Sequence, residues 1–441
     1  MSIELTSRRG SDLLLRNRVR IVVVFVFAII PLTFLQNRVL GFQLSGWAWL
    51  LVLAATAPLV LTEPLSPRAV RLLLPYLAFL LYAAVSLAWV QDFHEGVATL
   101  VQFTVPVLAY LLAWRVPDSS MIRDRLRVMS LRGIGLAVVV TVVFFSGLDL
   151  RLGLDLSPRP MSISLAVLFV VATLESRSWR YTTAVAVVAL LIAAGVGSRL
   201  SSAVILVMLL ISPSLGIRWQ GRVAMAIACL LLVLAVSQTE AFRQRFFFSE
   251  EATLRDVFTL SDQLNTAGRR ELWPELVKQC SPASMTGLGI GASGRISAGL
   301  SRTLDQPHNE YLRAYCDEGW IGSALLWGFL ALTAIRSWRR AADGGEDASL
   351  HTSAGNLILA LLLFGITDNP MTYTAHFMAP MAVILGLSDK AAVMRRSHPR
   401  PAASTRPRPP MAPVPRRTGD RRGGVRGPAA GSRVSGLYRH R

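Results

Sequence analysis

The feature that most constrains the fold is a series of apolar stretches, each close to the length that crosses a lipid bilayer. A spanning helix needs about 20 predominantly apolar residues, and such stretches recur along most of the 441 residues. Apolar residues make up 52% of the chain and charged residues only 17%, which is little charge for a soluble protein of this size. The sequence therefore predicts an all-α, polytopic transmembrane helical bundle.

Hydropathy predicts about twelve spans. Their approximate limits are 19–36, 46–62, 70–90, 96–114, 132–149, 159–175, 181–197, 200–216, 222–238, 319–337, 353–368 and 371–388. Residues 1–18 then form a basic N-terminus, 19–238 hold spans one to nine, 239–318 form one large loop with short helices, and 319–388 hold the last three spans. No small-residue cleavage site follows the first apolar run, so we expect no cleavable signal peptide.

Arginine is distributed unevenly between the connections and predicts the orientation. The net charge is +19. One set of connections carries Arg8, Arg9, Arg16, Arg18, Arg20, Arg68, Arg71, Arg115, Arg123, Arg125, Arg127, Arg132, Arg177, Arg180, Arg218, Arg222, Arg336, Arg339 and Arg340. The alternate connections are poor in arginine, so both termini are predicted to be cytoplasmic and the loop 239–318 to lie outside, in the periplasm of a Gram-negative cell. Nucleic acid is a poor explanation of the charge, because the arginines separate apolar spans.

Residues 389–441 differ in composition from the spans. From Lys390 onward the chain is rich in Pro, Arg, Gly and Ala, and Asp420 is its only acid. Such a segment cannot bury a core, so it is predicted to be a disordered cytoplasmic tail. It either lies against anionic lipid headgroups or is simply solvated.

The three cysteines give little guidance. Cys229 lies in an apolar span, and Cys280 and Cys316 lie in the outer loop. That compartment permits a disulfide, but nothing else marks a disulfide-stapled domain, so we expect two free thiols.

The stretch "QPHNEYLRAYCDEGWIGSALL", residues 306–326, places dense polar groups where the chain enters span ten. Asp305 or Gln306 is predicted to cap a helix with Pro307 in its first turn. His308 and Asn309 would then lie in that turn, where unpaired N–H groups attract an anion such as phosphate. The alternative is a surface helix with an incidental histidine.

Other polar residues are predicted to share this face of the membrane. Arg199 lies in a short outer turn, where it either lines a wet cavity or snorkels. Arg269 and Arg270 begin a loop helix whose Leu272 and Trp273 are expected to dock on the membrane surface.

Two further motifs need an interpretation. Asp368 precedes Asn369 and Pro370 at the end of span eleven, where it either pairs with an arginine or belongs to an ordinary turn. A G-x-G-x-x-G at Gly289, Gly291 and Gly294 is not interpreted as a dinucleotide site, because no strand precedes it. Tight turns or close approach to a ligand explain it better.

Together these residues resemble the O-antigen ligase and polysaccharide polymerase superfamily. Its members have many spans, a large external loop, a Ser-Arg pair, a G-R-x-x-x-W segment, a P-x-x-G-x-G segment and a His-Asn-x-x-Leu run followed by glycines. The matching residues are Ser198, Arg199, Gly268, Arg269, Trp273, Pro282, Gly287, Gly289, His308, Asn309, Leu312, Glu318, Gly319 and Gly322. The gap between Pro282 and Gly287 is longer than the family pattern. The motifs cover roughly residues 195–326.

The resemblance implies a glycosyltransferase of surface polysaccharide biosynthesis (exopolysaccharide, capsule or lipopolysaccharide O-antigen). It would move a glycan from undecaprenyl pyrophosphate to an acceptor hydroxyl, with no cofactor and no metal. The implied roles are pyrophosphate binding by Arg199 and Arg269, with Arg270 as a substitute, and a base or acceptor-orienting role for His308. Substrate-binding roles are expected for Asn309, Glu318 and Asp368.

Alternatives stay open at this point. The acceptor is another glycan, lipid A–core or a protein hydroxyl, although the loop shows no added domain for gripping a protein. Outside the family, a lipid-linked glycan flippase or transporter has a similar number of spans, but its polar groups would lie at mid-membrane depth. A scaffold without catalytic activity is the third possibility.

Overall fold

The computed structural model describes residues 17–211 except 41, 63, 117–118, 157 and 177, isolated residues between 220 and 231, and residues 268–397 except 302–303. Its elements are almost entirely helical. The first helices are α1 (Asn17–Phe34), α2 (Leu44–Leu61), α3 (Pro67–Ser86), α4 (Phe93–Arg115), α5 (Ser119–Phe145), α6 (Leu148–Leu152), α7 (Pro158–Ala172), α8 (Trp179–Gly195) and α9 (Arg199–Ile211). Two-residue strands, β1 (Arg38–Val39) and β2 (Phe42–Gln43), pair antiparallel after α1.

The second described part holds the remaining elements. They are α10 (Arg269–Cys280), α11 (Ala292–Leu300), α12 (Glu310–Ala342), α13 (Ala348–Phe364) and α14 (Ala379–Ser397). Short 3-10 turns lie at Ser281–Ala283 and Pro370–Thr372, and a π-helical turn spans Thr374–Met378 just before α14.

The helices agree with a multi-pass membrane protein. Among the described residues, six helices are long and apolar enough to cross a membrane, and shorter apolar helices lie at Gly46–Leu61, Pro160–Ala172, Trp179–Gly195, Arg199–Ile211 and Ala348–Phe364. Each overlaps one predicted span. The ninth predicted span, 222–238, lies largely outside the described residues, so a total of about twelve stays a prediction.

The middle of the bundle is formed by α7, α13 and α14. From Met161 to Ala172 nearly every residue of α7 is buried, and α7 contacts α5, α8, α9 and α13. A helix that is apolar all round is stable only when other helices surround it. The start of α9 lies beside the start of α7, because the Ser201 and Ser162 hydroxyls are 3.1 Å apart.

Helix α12 is broken at Gly319, and a loop fills the break. Gly319 has φ 63° and ψ −167°, a conformation open essentially only to glycine. The Leu288 and Gly289 N–H groups donate to the Cys316 and Asp317 carbonyls, and the Trp320 N–H donates to the Ser284 carbonyl at 2.8 Å. The glycine-rich loop 284–291 therefore pairs with the backbone that the kink frees.

The glycines of the motif that was not interpreted as a dinucleotide site, Gly289, Gly291 and Gly294, allow close packing of neighbouring segments. A Cβ at Gly289 would lie 2.8 Å from the Val90 backbone, and one at Gly294 would lie 2.8 Å from the Gln306 amide nitrogen. Gly289 and Gly291 also have positive φ angles, which only glycine adopts at little cost. Of the two explanations given for the motif, tight turns account for the positive φ angles, and the close approaches seen are to other parts of the protein.

The last helix extends beyond the predicted boundary at residue 389. α14 continues to Ser397, and Asp389 is fully buried. Arg340 forms an ion pair with Asp389, Arg336 lies 3.4 Å from it, and Tyr110 donates to it at 2.7 Å. The prediction of disorder from 389 was therefore wrong for residues 389–397, because the sequence alone did not show these partners. The rest of the predicted tail lies outside the described residues.

Candidate functional site

The helix that carries the His-Asn motif begins later than predicted. Asn309, not Asp305 or Gln306, is the N-cap of α12, and its side chain accepts from the Leu312 N–H at 3.0 Å. Asparagine is among the best capping residues, and His308 has a φ of 48°, which no helix allows. His308 therefore lies in the corner before the helix, and its predicted place in the first turn was wrong.

His308 faces a carboxylate across this corner. Its Nδ1 is 3.6 Å from Asp368 Oδ1, and both side chains are mostly buried. Asp368 also accepts from the Asn369 N–H at 2.9 Å and the Tyr373 hydroxyl at 3.0 Å. A carboxylate held in this way orients an imidazole and favours the tautomer with its proton on Nδ1, which leaves Nε2 as the basic nitrogen.

Helix α10 supports the corner from the other side. Trp273 Nε1 donates to the Pro307 carbonyl at 2.8 Å. Arg269 precedes Trp273 by four residues, so both lie on one face of α10. The expected membrane docking of Leu272 and Trp273 was wrong: Leu272 is 3% exposed within the protein, and the Trp273 ring nitrogen bonds the His308 corner. Arg270 is exposed on the first turn of α10.

A disulfide joins α10 to α12. Cys280 and Cys316 are bonded, so the expectation of two free thiols was wrong. The bond lies in a small apolar cluster with Leu276 and Ile296. Because this cluster joins α10, α11 and α12, it fixes the helix that carries Arg269 against the helix that follows His308.

Buried charges near the start of α12 were missed at the sequence level. Arg313 is 4% exposed; its guanidinium lies 2.5 Å from Glu310 and 3.7 Å from Asp317. Glu310 also accepts from the Met371 N–H at 3.2 Å. The spacing of three and four residues places these charges on one helix face. That spacing is visible in the sequence and was the signal that could have revealed them.

Glu318 lies at the kink and is 2% exposed. Within the described part of the chain, neither of its carboxylate oxygens has a hydrogen-bond partner of good geometry. The neighbouring Ser86 hydroxyl donates to the Ala83 carbonyl at 2.8 Å instead. A buried carboxylate in this state is costly unless another group meets it.

More polar atoms without partners surround the His308 corner. Among the described residues they include both side-chain amide atoms of Asn369, Thr374 Oγ1 and His376 Nε2. His376 lies in the π-helical turn, and such turns are frequent at functional sites. Natural proteins leave few buried polar groups unpaired, so their concentration here indicates a place for water or a ligand.

Arg199 was also predicted to belong to the site, and its proximity to the His308 corner stays a prediction. It begins α9 and is exposed, and the Ser198 hydroxyl beside it donates to Ser201 at 2.8 Å. Within the described segments, no group of three or more His, Cys, Asp or Glu side chains could hold a metal ion. Metal independence also stays a prediction.

Comparison with known families identifies the segment that carries these motifs. Residues 184–327 match the family model of O-antigen ligase. This segment belongs to the O-antigen ligase superfamily. The match includes the start of α9, helices α10 and α11 and the kinked first half of α12, so the resemblance seen in the motifs is confirmed. No match was found among curated proteins. The chain is thus a multi-pass bacterial membrane protein with an O-antigen ligase domain.

Proposed function

We propose that the chain is a membrane glycosyltransferase that moves a glycan from undecaprenyl pyrophosphate onto an acceptor hydroxyl, at the outer face of the inner membrane. The observation that carries the proposal is the His308–Asp368 pair, 3.6 Å apart, in a corner whose histidine lies inside the segment that matches O-antigen ligase. An oriented, mostly buried imidazole is the group that accepts a proton from an attacking hydroxyl.

The pyrophosphate needs cations rather than a base. As the bond to the anomeric carbon breaks, negative charge grows on the leaving pyrophosphate, and guanidinium groups stabilise it through charge-assisted hydrogen bonds. We assign this role to Arg269, which shares a helix face with Trp273, and to Arg199 at the start of α9. Arg270 is the substitute if the substrate approaches the exposed side of α10.

The remaining assigned residues have different roles. Asp368 orients His308. Asn309 caps α12 through its side-chain oxygen, so its contribution to the substrate is the position of the corner. Glu318 contributes a buried carboxylate next to the kink. The acceptor is another glycan in a polymerase or lipid A–core in a ligase, and both reactions use the same corner.

The test compares variants in a strain that lacks the gene. His308→Gln keeps the size of the side chain without the base, and Arg199→Ala and Arg269→Ala remove the proposed phosphate contacts. Arg339→Ala is the matched control, because Arg339 is exposed at the opposite end of α12. Each variant is first quantified in the membrane, and surface glycan and lipid-linked intermediates are then sized.

We expect the three site variants to lose glycan transfer and to accumulate undecaprenyl-linked donor on the outer face, while Arg339→Ala produces normal glycan. Stalled single repeats would identify a polymerase, and stalled long chains a ligase. Normal glycan in all three variants would refute the site assignment. Donor trapped on the inner face would favour a flippase.

A further inference from the structure

A polar cavity lies between the starts of α4, α11 and α12, beside the His308 corner. Its volume is about 160 Å³, and its lining includes the carboxylates of Glu95 and Asp317, the guanidinium of Arg313 and the amides of Gln102 and Gln306. Gln306 is two residues before His308, so the cavity adjoins the proposed catalytic group. None of its lining residues has been given a substrate role above.

The size of the cavity suits one six-membered ring. A protein cavity of ~150 Å³ is large enough to hold a benzene ring. An apolar ring would not suit this lining, because carboxylates, amides and hydroxyls would lose their water without gaining a partner. A ring that carries hydroxyl groups would pair with them, since each hydroxyl both donates and accepts.

The charge of the lining disfavours a phosphate. Among the described residues that line the cavity, Arg313 is the one cation, against the carboxylates of Glu95 and Asp317. The Arg313 charge is moreover already matched by Glu310 at 2.5 Å. The described lining therefore offers an anion no cation that is not already paired with a carboxylate, whereas the proposed pyrophosphate contacts lie on α9 and α10.

One buried hydroxyl lies in the wall of the cavity. Ser293 lines the cavity and is 1% exposed. Its backbone N–H donates to Asp317 at 2.7 Å, and its hydroxyl lies beside the same carboxylate without a hydrogen bond of good geometry among the residues that the structure describes. Gly291 lets the backbone of this wall approach Glu95 closely, since a Cβ at Gly291 would lie 3.2 Å from Glu95 Cγ.

We propose that this cavity binds one sugar ring of the glycan and thereby places the reacting sugar against His308. The inference deepens the proposed function and rests on it. Glu95, which is exposed, and Gln306, which is partly buried, hold the ring hydroxyls at the rim, while Asp317 and Ser293 contact the ring at the base. The ring comes from either the donor glycan or a glycan acceptor.

The test uses full-length protein in nanodiscs and two readouts. The first is binding of the repeat-unit oligosaccharide released by mild acid from the strain's own lipid-linked intermediates. The second is the KM for lipid-linked donor and for acceptor. The variants are Glu95→Gln and Gln306→Ala. Their matched controls are Glu275→Gln and Gln279→Ala, which change exposed residues of α10.

We expect both cavity variants to bind the oligosaccharide about three- to tenfold more weakly, while both controls bind normally. Glu95→Gln replaces a charge-assisted hydrogen bond by a neutral one, and Gln306→Ala removes a hydrogen bond to a sugar hydroxyl. A raised KM for donor alone assigns the ring to the donor, and a raised KM for acceptor alone assigns it to the acceptor. Wild-type affinity in both variants, or no binding by the wild type, overturns the inference. Cavity-dependent binding without glycan transfer by the wild type would refute the proposed transferase and leave the sugar site standing.

Discussion

Replacing Gly319 by alanine is predicted to displace the loop that fills the kink of α12. An added Cβ would lie 2.4 Å from the Met285 carbonyl oxygen and 2.5 Å from the Gly287 nitrogen. Both are backbone atoms, so no flexible side chain can move aside. The backbone angles of Gly319, φ 63° and ψ −167°, are also energetically unfavourable for alanine.

The two effects add to a substantial destabilisation. Strained backbone of this kind costs about 1–3 kcal/mol, and inserting an extra carbon into a packed site costs about 1–3 kcal/mol more. We therefore expect the free energy of unfolding to fall by about 4 kcal/mol. Since 1 kcal/mol lowers the melting temperature of a 150–250-residue domain by about 2–4 °C and this bundle is larger, we expect a fall of roughly 5 °C.

The assay is thermal unfolding of the purified protein in one detergent, with Gly328→Ala as the matched control. Gly328 lies in the same helix, and a Cβ there meets no atom within 4 Å. Alanine in a helix interior is favoured over glycine by about 0.8–1 kcal/mol, so the control is expected to match or exceed the wild type. Equal melting temperatures for the two variants would refute the reasoning about the kink.

Three further outcomes are expected. Replacing Cys280 and Cys316 together by serine removes a disulfide that joins residues 36 positions apart. Loop-closure entropy predicts that the free energy of unfolding falls by about 4 kcal/mol, measured as a lower melting temperature that reductant does not lower further. Arg313→Met leaves its buried carboxylate partners without a cation and lowers the free energy of unfolding by about 3–5 kcal/mol, seen as lower membrane abundance. The control Lys278→Met changes a 78% exposed lysine and leaves abundance unchanged. Asp368→Asn lowers kcat for glycan transfer about 10²-fold with little change in KM, because it weakens an orienting contact to the base; an unchanged kcat would show that the carboxylate does not act through His308.

The membrane architecture was predictable because hydropathy is a local property. Apolar runs predicted the positions of the described apolar helices, and the family motifs predicted the segment that matches the family model. Helix bounds were less predictable. Helix α12 begins at Glu310 because Asn309, not Asp305 or Gln306, caps it. Several of these residues are able to cap a helix, so the sequence alone does not decide which of them does.

What the sequence could not show depends on contacts between distant segments. The Cys280–Cys316 bond requires α10 and α12 to pack together, and its two cysteines carry no local signal for that packing. The same applies to Asp389, whose position after an apolar span resembled the start of a tail until its partners Arg336 and Arg340 were placed beside it.

The charges of the cavity illustrate an intermediate case. Glu310, Arg313 and Asp317 show helical spacing in the sequence, but their functional interest depends on Glu95, which comes from a helix more than 200 positions earlier. A search for isolated motifs passes over such a set, because no single segment contains it.

The break at Gly319 also separates a helix of membrane-spanning length from the His308 corner. Backbone groups released from a helix are tolerated at membrane depth only where protein or water meets them, and the 284–291 loop supplies those partners. Beyond the break, residues 320–342 form a helix about 34 Å long, close to the ~30 Å of the hydrocarbon layer. The length of this helix therefore sets the distance from the His308 corner to the far end of α12, and one added turn would lengthen it by about 5 Å.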